Sequence, residues 1–293
     1  GYTGMAGHYA IENLNLVGQV TDFDSFAVEG TSGGDLFEYF SGLTPDAGTV
    51  EGLMNDAGFT LPTIQFSGMN PIVNRTFNGG ASGGQDDFLF RGTFSDDEIA
   101  YDGSGLLTNA NDGTPIASID VGTSTSTRGI IIEGDDGDDT IDVTPEDGVV
   151  VIVRGGNNSP GSDVLNYNAA GNVTIELSNR DIEDDGSSGT RDASFAGIEV
   201  VNVAAGGNDV TFEGTTGNED IIYTPTGPAA GTIEVAGGST VFNLSNVATA
   251  TTLTIDGSGG SDTLTVEGTS SGDSDIDADV PGGNVTVSGL LPV

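Results

Sequence analysis

The feature that most constrains the fold is a short unit that recurs along the whole chain at intervals of 54 to 63 residues. In its clearest copy, residues 257–269, a glycine-rich turn leads to Asp262, and a strand with apolar residues at alternating positions follows. Each copy closes on a glycine, and these closing glycines are Gly30, Gly92, Gly155, Gly214 and Gly268. Periods of this length are typical of solenoids and repeat arrays.

Short strands fill each repeat, and almost no segment has helical periodicity. The strands are rich in β-branched residues and are bounded by Gly, Asn, Asp or Ser, which are strand and turn signals. Five such strands in about sixty residues would fit two coils of a parallel β-helix. We therefore predict an all-β repeat protein in which residues 1–293 form one continuous parallel β-solenoid of about five repeats. Tandem small β-sandwich domains are the alternative, although each would be near the lower size limit for independent stability.

The charge balance excludes several classes of partner. The chain has 45 acidic residues, six basic residues and a net charge of −39. All six basic residues are arginines, so little is available to neutralise nucleic-acid phosphates or anionic lipids. No apolar run approaches the ~18 residues of a membrane-spanning helix. We therefore predict no nucleic-acid partner and no membrane span.

Reactive side chains are scarce, which argues against an enzyme. The chain has no cysteine, so it lacks a disulfide scaffold and thiolate metal ligands. His8 is its single histidine, which leaves little for a histidine-based metal site or a Ser-His-Asp triad. The chain also starts at Gly1 rather than Met, which indicates a processed or excised piece of a longer precursor.

Two glycine-aspartate turns match a known calcium-binding pattern. Residues 134–142 and 257–265 each match four of the five fixed positions of the nonapeptide G-G-x-G-x-D-x-U-x, and each departs from it at the second glycine. The chain resembles the RTX-like and glycine-aspartate-rich repeats of large secreted or cell-surface proteins of aquatic prokaryotes. Here the motif recurs once per repeat rather than in tandem. The resemblance implies an extracellular location, a structural or adhesive role and bound Ca²⁺.

Stacked aspartate turns are also a physically reasonable calcium site, because Ca²⁺ prefers six to eight oxygen ligands from carboxylates and turn carbonyls. Alternatively, each aspartate would bond its own backbone in an Asx-turn. The candidate metal ligands are Asp24, Asp86, Asp135, Asp136, Asp138, Asp139, Asp142 and Asp262.

Two further patterns concern the surface. Four Asn-x-Ser/Thr sequences are candidate N-glycosylation sites, at Asn74, Asn172, Asn243 and Asn284. One tyrosine recurs at a fixed place in four repeats, and a stacked row on one sheet is favoured over a sugar-binding stripe. These tyrosines are Tyr39, Tyr101, Tyr167 and Tyr223.

The sequence thus predicts a non-enzymatic extracellular structural protein, a calcium-stabilised subunit of a cell-surface filament, sheath or surface layer. Strand 285–287 resembles strand 232–235, and the pieces expected after it are supplied by residues 8–16. This match predicts a head-to-tail homopolymer, because a contact of that kind does not close on itself. The alternative is a polysaccharide-binding or polysaccharide-modifying β-helix protein, such as an adhesin, lyase or epimerase module, with a cell-surface polysaccharide as its partner.

Overall fold

The computed structural model describes residues 13–17, 27–29, 35–42, 44, 47–54, 59–60, 63–67, 75–78, 86–111, 114–120, 127–157, 161–186, 192–227, 229–247, 253–268, 277–279 and 285–288. These residues form 27 strands and no helix, which confirms the all-β prediction. The strands are β1 (Asn13–Val17), β2 (Ala27–Glu29), β3 (Asp35–Ser41), β4 (Gly48–Met54), β5 (Phe59–Thr60), β6 (Thr63–Ser67), β7 (Arg75–Asn78), β8 (Asp86–Arg91), β9 (Glu98–Tyr101), β10 (Leu106–Asn111), β11 (Thr114–Asp120), β12 (Thr127–Asp136), β13 (Thr140–Val143), β14 (Val150–Asn157), β15 (Val164–Asn168), β16 (Val173–Glu176), β17 (Asp181–Asp184), β18 (Ala193–Ala196), β19 (Val200–Ala204), β20 (Val210–Glu213), β21 (Asp220–Gly227), β22 (Ala230–Val235), β23 (Val241–Ser245), β24 (Leu253–Asp256), β25 (Thr263–Val266), β26 (Asp277–Asp279) and β27 (Val285–Ser288).

Two long mixed sheets contain all of these strands. Sheet A has the order β1-β6-β4-β3-β8-β12-β14-β18-β17-β16-β20-β24-β27-β26, with β5 attached to β4. Sheet B has the order β2-β7-β11-β10-β9-β13-β15-β19-β23-β22-β21-β25.

From β8 onward the chain passes back and forth between the sheets, and each return places a strand beside an earlier parallel one. For example, β8, β12 and β14 are parallel neighbours in sheet A, while β9, β13 and β15 are parallel neighbours in sheet B. At some returns the chain instead adds a three-stranded antiparallel meander, such as β9–β10–β11 in sheet B or β16–β17–β18 in sheet A.

The meanders explain the repeat length. Six glycines stand at the ends of sheet A strands, at 92, 134, 155, 197, 214 and 257, which gives intervals of 42, 21, 42, 17 and 43 residues. The long intervals contain a meander and the short ones do not. One long and one short interval together give the sequence period of about sixty residues. The segment 130–134 is therefore a further copy of the strand-and-glycine unit, which the five closing glycines of the sequence pattern did not include. The copy that closes at Gly268 differs as well, because its strand β25 lies in sheet B.

The inner faces of the two sheets share one hydrophobic core. Phe88 and Phe90 point into it and are 3% and 0% exposed, as the alternation of the strand predicts. Leu89, on the opposite face, is also buried at 8% exposure although it lies outside the core cluster. The outer face of β8 is thus covered, which alternation alone does not predict.

The recurrent tyrosines lie inside the core. Tyr39 belongs to β3 of sheet A, whereas Tyr101, Tyr167 and Tyr223 belong to strands of sheet B that are not neighbours. All four are at most 3% exposed. The prediction of a stacked row on one sheet is therefore wrong: Tyr39 lies on the other sheet, and the remaining three tyrosines do not lie on neighbouring strands. The buried rings are also not available to stack on a sugar.

Candidate functional site

The candidate site lies along the edge of the molecule where the strands of sheet A end and the chain turns towards sheet B. Glycines stack here with their backbones in close approach. A Cβ placed on Gly134 would lie 2.5 Å from the carbonyl oxygen of Gly155, and one on Gly155 would lie 2.1 Å from that of Gly197. We call this stack the glycine row. It consists of Gly92, Gly134, Gly155 and Gly197 and, beyond the intervening strands β17 and β16, of Gly214 and Gly257.

A carboxylate from each turn lies against the glycine row and bonds the neighbouring turn. The backbone N–H of Asp97 donates to Oδ1 of Asp139 (2.9 Å), and that of Asp139 donates to Oδ1 of Asp163 (2.9 Å). The backbone N–H of Asp163 in turn donates to Oε2 of Glu199 (3.0 Å). The pattern returns beyond the meander, where the N–H of Glu219 donates to Oδ1 of Asp262 (3.0 Å). We call these six residues the acid ladder.

A second set of bonds runs in the opposite direction between the same turns. The N–H of Asp138 donates to Oδ1 of Asp96 (3.0 Å), and the N–H of Ser261 donates to Oδ1 of Asn218 (2.8 Å). Each of these two turn pairs is therefore joined by two reciprocal side chain–backbone bonds. Turn aspartates here bond the backbone of an adjacent turn, so they hold successive turns in register rather than only shaping their own.

Threonine caps some ladder carboxylates, and others have no donor on one oxygen. Oδ2 of Asp97 accepts from both the N–H (2.5 Å) and the hydroxyl (3.0 Å) of Thr93. Thr215 caps Glu219 with the same two donors, but its N–H bonds Oε2 (3.3 Å) and its hydroxyl bonds Oε1. Aspartate and glycine replace this threonine in the next two turns. There the buried Oδ2 atoms of Asp139 and Asp163 have no hydrogen-bond partner, and neither does Oδ1 of Asp138. A buried carboxylate oxygen without a donor requires a proton, a water or a cation.

The electrostatics agree with this geometry. Burial raises the pKa of Asp139 to about 7, and the nearby carboxylates of Asp97 and Asp163 act in the same direction. Burial also raises the pKa of Asp97 and of Asp163, against the opposing effect of hydrogen bonds from neighbouring backbone N–H groups. The native ladder therefore binds protons more readily than the unfolded chain does.

This shift predicts a pH dependence of stability. Because the pKa of Asp139 is higher in the native state than its ordinary value of 3.8, the native state gains stability as the pH falls from above 7 towards 4. Asp139→Asn mimics the protonated acid and keeps an oxygen acceptor for the Asp97 N–H. We expect this variant to melt at a higher temperature than the wild type at pH 8 and to show a smaller gain on acidification, measured in EGTA.

The control for that experiment is Asp220→Asn, which removes one charge at an exposed strand residue. Comparing the two variants separates the ladder from the general relief of a −39 net charge by acid. If Asp139→Asn and Asp220→Asn have the same pH profile, the ladder does not titrate as a buried unit.

An amide ladder crosses the outer face of sheet B. Each side-chain Nδ2 donates to the residue in register on the preceding strand: Asn166 to Asp142 (2.5 Å), Asn202 to Asn166 (2.7 Å) and Asn243 to Asn202 (2.8 Å). The hydroxyl of Thr232 completes the row by donating to Asn243 (3.2 Å). Such ladders need identical or matched residues at the same register position in parallel strands.

The outer face of sheet A carries charge instead. Arg91 donates a hydrogen bond to Glu38 (2.8 Å) and forms an ion pair with Oε2 of Glu133 (2.9 Å), and Arg154 lies 3.8 Å from the same oxygen. Further along the sheet three carboxylates share one register row, Glu176, Glu213 and Asp256. Burial raises the pKa of Glu213, and so do the carboxylates of its two neighbours.

The predicted calcium ligands have different surroundings. Asp139 and Asp262 belong to the acid ladder, and the carboxylate of Asp138 packs against Gly161 of the next turn. Asp135 has a left-handed φ of 80°, Asp136 accepts from Asn157 (3.2 Å), and Asp142 ends the amide ladder. Asp24 lies outside the described residues, and Asp86 begins β8 with its side chain outside them.

Two of the predicted glycosylation sites are described. The amide of Asn172 is exposed, donates to Oδ2 of Asp185 (2.8 Å) and accepts from the N–H of Asp209 (3.0 Å). The amide of Asn243 is half-buried within the amide ladder. Asn74 and Asn284 lie outside the described residues.

The sequence pattern did not indicate the cross-turn role of Asp97 and Asp163, and it missed Glu199 and Glu219. The amide ladder was also missed, although its signal is visible. Asparagine stands at the same place in Val164–Asn168, Val200–Ala204 and Val241–Ser245, the third position of each strand.

These sites are structural in their chemistry: they align turns and strands. Within the described ranges, no group of three or more histidine, cysteine, aspartate or glutamate side chains is arranged to hold a metal ion. The same ranges contain no helix long and apolar enough to cross a membrane. Comparison with known proteins identifies no relative, because no protein-family model matches and no curated protein or solved structure is significantly similar.

Proposed function

We propose that the chain is a non-enzymatic structural subunit of an extracellular filament, sheath or surface layer, and that copies assemble head to tail. The observation that carries this proposal is the direction of the strands at the two edges of each sheet. Each meander reverses the chain twice, so six antiparallel pairs lie between β1 and β26 in sheet A, and four lie between β2 and β25 in sheet B. Because both numbers are even, the outermost strands that the structure describes in each sheet run in the same direction.

When the strands at the two edges of a sheet run in the same direction, further copies can be added to the assembly without limit. A second copy shifted along the strand-stacking axis by the fourteen strand positions of sheet A would place β1 of one copy parallel to β26 of the other. The described strands of sheet B fill only twelve of those positions, so its two edges do not meet in the same shift. A head-to-tail contact of this type generates a filament rather than a closed dimer. At β25, the last described strand of sheet B, the core-facing residues Leu264 and Val266 are only half-buried, whereas the equivalent residues of inner strands are fully buried, so this apolar surface has room for a further covering.

The proposal includes solenoidal winding of the chain, with meanders inserted into some coils. Alternate passage through sheets A and B and parallel pairing of successive passages support this arrangement. The acid and amide ladders fit a stack of this kind, since both require the same residue type at the same register position. A structural role needs no cluster of different catalytic groups in one groove, and the ladders are built from groups of similar chemistry: carboxylates in one, and mainly asparagine amides in the other.

We also propose that calcium stabilises the stacked turns. Three buried oxygens, on Asp138, Asp139 and Asp163, have no donor, and they come from two adjacent turns that also present glycine-rich backbone. Hard carboxylate and carbonyl oxygens are the donor set that Ca²⁺ prefers. A cation there would offset the burial of the Asp139 carboxylate and its repulsion by neighbouring carboxylates, which together raise its pKa.

Chelation therefore lowers stability. An ion that binds only the native state contributes about 2.7 kcal/mol at one hundred times its Kd. We expect the melting temperature to fall on addition of EGTA at fixed high NaCl and to recover with Ca²⁺ but not with Mg²⁺. An unchanged midpoint would contradict a calcium role and leave protonation and cross-turn hydrogen bonds as the means of holding the ladder.

The assembly proposal is tested by light scattering and electron microscopy of the purified chain as its concentration is raised in Ca²⁺ and in salt. Linear polymers that grow with concentration are expected. A monomer that persists at high concentration in both conditions would contradict the proposal. Turnover of any member of an acidic-polysaccharide panel would favour the alternative of a polysaccharide-modifying protein.

A further inference from the structure

The centre of the outer face of sheet B is uncharged. Three parallel neighbours, β15, β19 and β23, have five residues each, and the first, third and fifth residues of each strand lie on this face, half-buried or exposed. None of these nine residues is ionisable, although the net charge of the chain is −39. We call this surface the amide face, and it consists of Val164, Asn166, Asn168, Val200, Asn202, Ala204, Val241, Asn243 and Ser245.

The register of the strands arranges the amide face in three rows. The middle row contains the asparagines of the amide ladder, with a row of valines on one side and a row of small or polar residues on the other. Exposed acids stand where the face ends, at Asp142 on β13 and at Glu234 on β22. The acids at both flanks repel an anionic ligand.

The amide ladder leaves hydrogen-bonding capacity unused. An asparagine side chain has two N–H donors and two acceptor sites. Asn166, Asn202 and Asn243 each give one donor and one acceptor site to their ladder neighbours. Each therefore retains one N–H and one lone pair, repeated at the strand spacing of about 4.8 Å. A ligand that complements this row offers a donor and an acceptor together, as a hydroxyl group does.

The size and charge of the amide face select among partners. Three strands of five residues cover roughly 240 Å² at the usual strand spacing and rise, far below the ~800 Å² per partner of a stable protein interface. A second copy of the chain would also bring its own net charge of −39. An acidic polysaccharide meets the same repulsion, and a cationic ligand gains more at the carboxylate row on the outer face of sheet A. Charge and area together favour an uncharged ligand rich in hydroxyl groups.

We propose that the amide face binds an uncharged polysaccharide that lies across β15, β19 and β23. Its hydroxyl groups bond the unused N–H groups and lone pairs of the ladder, and the C–H groups of its sugar rings lie on the valine row. Binding by a single chain does not require head-to-tail assembly, so this inference goes beyond the proposed structural role. Assembly adds avidity, because copies in a row bind one polymer together.

Affinity electrophoresis of the full chain in gels that contain dextran, galactomannan or alginate tests the proposal, since the change in mobility with polymer concentration gives the Kd. Retardation is expected in at least one of the two neutral polymers and not in alginate. Asn202→Val removes the central donor and acceptor, and we expect the Kd to rise at least about tenfold. The matched control is Asn15→Val, the same change at an exposed strand residue of sheet A, which is expected to leave the Kd unchanged.

A second variant tests the face without cutting the ladder. Ala204→Leu keeps every ladder bond but raises a larger side chain beside Asn202 and Asn243, so the polymer can no longer lie flat. We expect this variant also to weaken retardation at least about tenfold. Its melting temperature, expected to match that of the wild type, separates loss of binding from misfolding.

The outcomes separate this site from the other proposals. No retardation in either neutral polymer would overturn the site, and so would equal retardation in alginate. Retardation that persists in both Asn202→Val and Ala204→Leu would overturn the assignment to the amide face. Self-association that is lost in Asn202→Val, without any polysaccharide binding, would assign the face to a second copy instead. A chain that binds the polymer but never polymerises would contradict the filament proposal and support this one.

Discussion

Replacing Phe242 by alanine is expected to destabilise the protein by about 3–5 kcal/mol, the cost of truncating a buried phenylalanine. Phe242 lies in β23 of sheet B and is 1% exposed. Its ring makes edge contacts with Phe195 (6.1 Å between centroids) and Phe212 (5.3 Å), which belong to β18 and β20 of sheet A. Such aromatic pairs add about 0.5–1.5 kcal/mol beyond burial, which places the expected loss in the upper part of the range.

The matched control is Phe94→Ala. Phe94 is 77% exposed in the turn after β8, so the same chemical change is expected to shift the free energy of unfolding by no more than about 0.5 kcal/mol. Urea unfolding of the three proteins gives both values. Equal effects at Phe242 and Phe94 would contradict the packing of the two sheets through this aromatic cluster.

Strand existence and inward faces could be predicted from the sequence because alternation is a local property. Phe88 and Phe90 illustrate this, and so do Leu264 and Val266, which pack against the core. Strand partners could not be predicted in the same way. Alternation assigns a residue to a face but does not say whether its neighbour is parallel or antiparallel, so the meanders were missed.

The acid ladder shows a second limit. The sequence places aspartates at the starts of strands, which predicts turn chemistry for Asp97 and Asp163. Their bonds run to residues 42 and 36 positions away, however, and depend on which turns are stacked. Glu219 is the ladder residue of its turn because it lies five residues after Gly214 and four after its threonine cap, the same spacing that Asp97 has from Gly92 and Thr93.

At the closing glycines, contact between neighbouring turns restricts the choice of residue, and Gly155→Ala tests this restriction. Gly155 has no left-handed φ, so backbone strain does not require a glycine there. The added Cβ would instead lie 2.1 Å from the carbonyl oxygen of Gly197 and 2.3 Å from Oδ2 of Asp163. Because one obstacle is backbone and the other is a buried ladder carboxylate, neither can move cheaply. We expect a loss of about 3 kcal/mol or more in the free energy of unfolding.

Gly148→Ala separates this steric cost from the cost of a left-handed backbone. Gly148 has φ of +79° and no atom within 4 Å of its added Cβ, so about 1–2 kcal/mol of strain is expected and no clash. The decisive comparison is the order of the two variants in urea unfolding. A Gly155→Ala protein as stable as Gly148→Ala would contradict the close approach of backbones in the glycine row, and with it the stacking that presses the acid ladder against these glycines. The expected order, with Gly155→Ala far less stable, would show that the recurring glycine is required by contact between turns rather than by the shape of any one turn.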